Sequence, residues 1–138
     1  MLEKVTVSMN DDSQFELING SSCDSLNPKE LLLCAAAKCA ALTALGIMDK
    51  ERVKPRRFEV SVEGKLSTDT LRAESVFTSF DVTYNAEAAS SDEHIKISRA
   101  LNLGHDKYCG MVKMLKQIAP VSHEISIVTT EPAFDYAL

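Results

Sequence analysis

The sequence predicts an α+β fold, and three observations carry that prediction. Apolar residues alternate with polar ones at Val5, Val7 and Met9, again at Phe58, Val60 and Val62, and again at Val76, Phe80, Val82 and Tyr84, the period-two pattern of half-buried strands. Between the first and second sets, Leu31 to Met48 carries one charge, Lys38, and is rich in alanine, as a buried helix would be. The order is therefore strand pair, helix, strand pair, helices and strand, which belongs to an α+β architecture and not to a wound parallel sheet.

The elements follow in turn. Lys4 to Met9 reads as a first strand, Asn10-Asp11-Asp12-Ser13 as a turn, and Gln14 to Ile18 as the returning strand. A polar loop runs from Asn19 through Cys23 to Ser25. Asn27-Pro28-Lys29-Glu30 is a helix start, with Asn27 as cap, Pro28 at the first helical position and Glu30 completing a capping box. The helix beyond it is apolar on nearly all sides and must be surrounded by protein or lipid. Its length would span a bilayer, but Lys38 lies near its middle and alanine is only weakly apolar. We read a central helix covered by its own sheet and by a second subunit. Asp49 to Arg57 breaks the pattern, and Lys54-Pro55-Arg56-Arg57 is a solvated loop. Two strands follow, joined through Gly64 to Ala73. Ser91-Asp92-Glu93 opens a helix that Gly104 ends, Asp106 is placed to cap a short helix beginning Lys107-Tyr108-Cys109, and Ser122 to Thr130 is the last strand.

Composition narrows the function. The 138 residues fit one domain, 1–138, large enough for a real core. No repeat, low-complexity tract or long linker divides it. A net charge of −5 argues against nucleic acid as a partner. The N-terminus has no signal-peptide pattern, so a cytoplasmic, reducing location is expected, and the four cysteines are not expected to form a permanent disulfide framework. No Cys-x-x-Cys pair occurs, and His94, His105 and His123 lack metal-site spacing, so no metal is expected. Phosphate-binding glycine loops and the Gly-x-Ser-x-Gly hydrolase motif are absent from the sequence.

The cysteines remain. On its own segment Cys39 reads first as a small core residue, and an apolar site would raise its pKa unless a cation lay near. Cys109, in the first turn of a helix capped by Asp106, would have backbone N–H groups favouring its thiolate, with His105 and Lys107 adding positive charge. Two such sulfurs could run a sulfenic acid and disulfide cycle if they met. Cys34 is too far round the helix to share a face with Cys39 and is assigned to packing. Cys23, in a polar loop, has no evident partner. Thr43, one turn beyond Cys39, is placed to hydrogen-bond its sulfur, and Glu30 is a capping residue that could also orient a cation.

At this point the residues resemble a known family. Asn27-Pro28-Lys29-Glu30-Leu31-Leu32-Leu33 with Ala37-Lys38-Cys39-Ala40-Ala41-Leu42-Thr43 is similar to the first cysteine helix of the OsmC/Ohr family, and His105-Asp106-Lys107-Tyr108-Cys109 is similar to its second motif. The resemblance implies antiparallel sheets wrapped around the long central helices of an intertwined homodimer, with the site at the subunit interface. It implies that Cys39 attacks an organic hydroperoxide and Cys109 resolves the sulfenic acid, with a small dithiol or lipoyl group as reductant and no cofactor. The family's glutamate directly after Asn-Pro, which pairs with an arginine from the N-terminal sheet, is replaced here by Lys29. The first strands offer Lys4 and no arginine. The activating cation beside Cys39 is left open among Lys38, Lys29, Arg56, Arg57 and His105. The alternative is a non-enzymatic dimer that binds a small hydrophobic or thiol-reactive ligand at its interface.

Overall fold

A computed structural model describes residues 1–130. Five strands form one sheet: β1 (Leu2–Met9), β2 (Phe15–Leu17), β3 (Arg57–Leu66), β4 (Phe77–Ala88) and β5 (Val121–Thr129). Among the described residues three α-helices accompany it: α1 (Pro28–Lys50), α2 (Ser91–Leu103) and α3 (Gly110–Ile118). The strand order is β2-β1-β3-β4-β5. The expected α+β class holds.

The strands alternate because one face is covered. In register, Val7, Val60, Tyr84 and Ile125 form one row across β1, β3, β4 and β5, and Val5, Val62, Val82 and His123 form the next. All the β1, β3 and β4 members of both rows are buried. α1 lies across β1 and β3, while α2 and α3 lie toward β4 and β5. The far face carries Thr6 and Ser61, whose hydroxyls hydrogen-bond at 2.7 Å, as expected of polar groups facing away from the helices.

One expectation fails at β5. It pairs with β4 in parallel, so the sheet is mixed and not antiparallel throughout. Alternation reports which face a side chain takes but not strand direction. The direction is set by the α2–α3 crossover, which is long enough to return the chain to the starting edge.

α1 begins as its sequence predicts. The Glu30 amide donates to Asn27 Oδ1 at 2.9 Å, and the Asn27 amide donates to Glu30 Oε1 at 3.0 Å. The helix is long and apolar enough to cross a membrane, yet Leu33, Ala36, Ala37, Ala40, Ala41 and Ala44 are buried within this chain. It is therefore the core helix. Small side chains let neighbours come close: a Cβ on Gly104 would lie 3.6 Å from the Ala44 backbone. One stripe, Leu31, Ala35, Lys38, Leu42 and Gly46, stays exposed.

Between α2 and α3 the sequence reading needs a second correction. Asp106 caps no helix. Gly104–Tyr108 makes a π-helical turn continuous with α2, and the Cys109 amide donates back to the Gly104 carbonyl at 2.8 Å. α3 starts only at Gly110, which places Cys109 at its N-cap and not in its first turn.

Candidate active site

The helix start at Asn27 sets the phase of α1, and that phase leaves Cys39 half-buried beside the exposed stripe. The π-helical turn lowers the N-cap of α3 onto the same spot from the other side. The two sulfurs, 70 residues apart in sequence, come to 3.4 Å, with the Cys109 S–H donating to Cys39 Sγ. Cys109 is fully buried; Cys39 is the member that solvent reaches. Thr43 Oγ1 stands 4.0 Å from Cys39 Sγ, one turn along the helix.

The electrostatics differ from the sequence expectation. Burial pushes the Cys109 thiol up to about 11, while the Val112 and Met111 amides at the start of α3 pull the other way. The helix-end effect is present, but desolvation outweighs it. His105 supplies no positive charge. It is buried, and burial, aided by His123 and Lys116, lowers its pKa to about 4. Its Nδ1 lies 2.7 Å from the Tyr84 hydroxyl. Tyr84 is itself buried, and desolvation drives its phenol well above the usual range, so the phenol stays protonated and donates to a neutral imidazole. Cys109, Asp106 and Cys39 add to the rise, so the Tyr84–His105 pair is a neighbour of the two sulfurs.

Two of the other cations considered for Cys39 are hydrogen-bonded elsewhere, and two line other pockets. The Lys29 ammonium reaches the Ala73 carbonyl at 3.4 Å, and the Arg56 guanidinium donates to Thr130 Oγ1 at 3.1 Å. Arg57 lines a pocket with Phe58 and Glu87. Lys38 lines another, beside Cys34. Glu30 is held by the capping box and, with Lys4, borders a separate pocket under β1. The structure thus brings Cys39, Cys109 and Thr43 together, sets His105 close by in neutral form, and leaves Glu30 apart.

Sequence reasoning missed Tyr84 as more than a core residue. Its signal was a tyrosine in an inward register, since a buried phenol needs a hydrogen-bond partner. It also missed a meeting of histidines. His123 continues the valine row on β5, and its ring stacks on His105 with centroids 4.0 Å apart. With Asp106, the two rings offer ligand atoms within 4.8 Å of one another. An interplanar angle of 27° keeps the in-plane lone pairs close to parallel, and they do not converge on one ion.

The domain lays its helices on one sheet and sets two cysteines, one half-buried and one buried, face to face. The profile of OsmC-like proteins matches residues 20–124, and the chain belongs to that family. Protein YhfA of Escherichia coli K12 is 27% identical over 114 residues, covering 81% of each chain. An OsmC-like protein from Mycoplasma pneumoniae superposes with a TM-score of 0.60 at 15% identity, covering 93% of this chain and 97% of that one. An organic hydroperoxide resistance protein OsmC from Legionella pneumophila gives 0.51 at 13% identity, covering 90% and 96%. At these identities the two structures speak for the fold alone.

Proposed function

We propose that this chain is a thiol-dependent peroxidase that reduces organic hydroperoxides through Cys39 and Cys109. One observation carries the reading: two sulfurs 3.4 Å apart with unequal access to solvent. The name of the Legionella relative, an organic hydroperoxide resistance protein, supports the substrate class.

The Cys39 thiolate attacks the distal oxygen of R–OOH; the O–O bond breaks, and the alkoxide leaves and is protonated to R–OH. Cys39 is now a sulfenic acid. The Cys109 thiolate attacks the Cys39 sulfur, the S–O bond breaks, and hydroxide leaves as water. A small dithiol or lipoyl group returns the disulfide to two thiols. The sulfurs stand 3.4 Å apart before reaction and about 2.05 Å apart once bonded. The exposed apolar stripe on α1, with Cys39 and Thr43 at its margin, supports a homodimer in which a second copy covers the site. A cytoplasmic antioxidant role accords with free thiols kept reduced.

Trypsin separates all four cysteines, into 5–29, 30–38, 39–50 and 108–113, which makes the test direct. One equivalent of tert-butyl hydroperoxide should link 39–50 to 108–113, and Cys39→Ser should abolish peroxide consumption. No cross-link, with consumption no faster than that of free thiols, would overturn the reading. The raised Cys109 thiol gives some weight to a second reading, a non-enzymatic dimer holding a small hydrophobic or thiol-reactive ligand. In that case ligand binding would survive replacement of both cysteines.

A further inference from the structure

The other two cysteines border one cavity. Cys23 sits in a short 3-10 turn, Cys23–Ser25, held by the Leu26 amide donating to the Cys23 carbonyl at 3.1 Å. Cys34 lies two turns into α1 and is 4% exposed, whereas Cys23 is exposed to solvent. Both line one cavity of about 190 Å³ between β2, the turn and α1, together with Phe15, Leu17 and Lys38. Lys38 follows Cys34 by one helical turn and so shares its face. We propose that Cys23 and Cys34 are a second redox-active thiol pair, a site at which small disulfides drive formation of an intramolecular bridge between the 3-10 turn and α1.

The unequal exposure sets the order of steps. The Cys23 thiolate attacks one sulfur of a low-molecular-weight disulfide R–S–S–R; the S–S bond breaks, R–S⁻ leaves, and Cys23 is a mixed disulfide. Cys34, too covered to meet the reagent, attacks the Cys23 sulfur as a thiolate and expels the second R–S⁻. Two protein thiols are oxidised and one disulfide is reduced to two thiols. Burial holds the Cys34 thiol up, and Cys23 adds to this, while the Lys38 ammonium opposes both. Lys38 is therefore a positioning charge for the second step.

The test removes the first pair. The Cys39→Ser/Cys109→Ser variant retains only Cys23 and Cys34 and cannot run the proposed peroxidase cycle, so the outcome is independent of that reading. Treated with one equivalent of dithiodipyridine, it should release two thiopyridones per reagent and lose two hydrogens in mass. Trypsin should then yield 5–29 linked to 30–38. Lys38→Met should slow the second release several-fold, and Lys38→Arg should restore it. The same cross-link, mapped in the unmutated protein, serves if the double variant does not fold. A stable thiopyridyl adduct on Cys23 with a single release would overturn the proposal, as would a Cys23–Cys23 link between chains.

Discussion

His105 is a buried imidazole whose neutrality is part of the fold. Its pKa falls from 6.5 to about 4, first through burial and then through His123 and Lys116. Between these values the unfolded chain binds the proton and the folded chain does not, so folding opposes protonation. The associated stability is complete above about pH 6.5 and is lost as pH drops toward 4, on the order of 3 kcal/mol over the full window. Urea unfolding at pH 7.5 and pH 5 should show about two-thirds of that loss, and His105→Gln should flatten it. Tyr84→Phe leaves His105 Nδ1 unpaired in the core and should cost about 1–3 kcal/mol at neutral pH. Cys109 titrates in the opposite sense. With its thiol raised to about 11, its thiolate fraction grows about tenfold per pH unit below that value. Dimedone trapping of the Cys39 sulfenic acid should therefore fall steeply from pH 7 to pH 9, because the resolving step overtakes the trap; a flat yield would show that another group resolves it.

At the level of elements, α1 depends on its start and β3 on one missing side chain. Asn27→Ala removes half of the reciprocal cap and should cost about 1 kcal/mol, read from the denaturant midpoint. Gly64 lies in β3 one residue before the register shift at Lys65/Leu66, and a Cβ there would run into the Phe77 ring. Gly64→Ala should cost about 1–3 kcal/mol through overpacking. These elements differ in how much the sequence discloses. Asn27, Pro28 and Glu30 announce α1 because a cap is local chemistry. Val60, Val62, Val82 and Tyr84 announce their strands because alternation follows from one covered face. The parallel pairing of β5 is silent, since alternation has no direction. So is the π-helical turn, where an i to i+5 bond from Cys109 to Gly104 leaves no periodic mark. That turn decides the site: it moves Cys109 from a first turn to an N-cap and into the interior, where desolvation overrides the amides that the sequence reading relied on. The cavity shared by Cys23 and Cys34 was equally hidden, because it depends on how the 3-10 turn folds back over α1.

The whole molecule leaves one conspicuous surface to account for. Leu31, Ala35, Leu42 and Gly46, with Lys38 among them, run along the open side of a helix whose other sides are core, and Leu42 is 52% exposed. Burying such a stripe against its own copy removes apolar area from water on both chains at once, at roughly 25 cal/mol per Å², and an isologous contact uses each residue twice. Cys39 sits at the edge of this stripe, so the same contact would exclude water from the sulfur pair. Leu42→Glu places a like charge against its symmetry mate and should shift sedimentation from a dimer to a monomer. It should leave the monomer folded, because Leu42 contributes nothing to the buried core. If the second copy completes the site, peroxide consumption should fall in step with the dimer fraction across a dilution series, while the Cys39–Cys109 cross-link still forms slowly in the monomer. Full activity in a monomeric Leu42→Glu protein would show that one chain holds everything the chemistry requires.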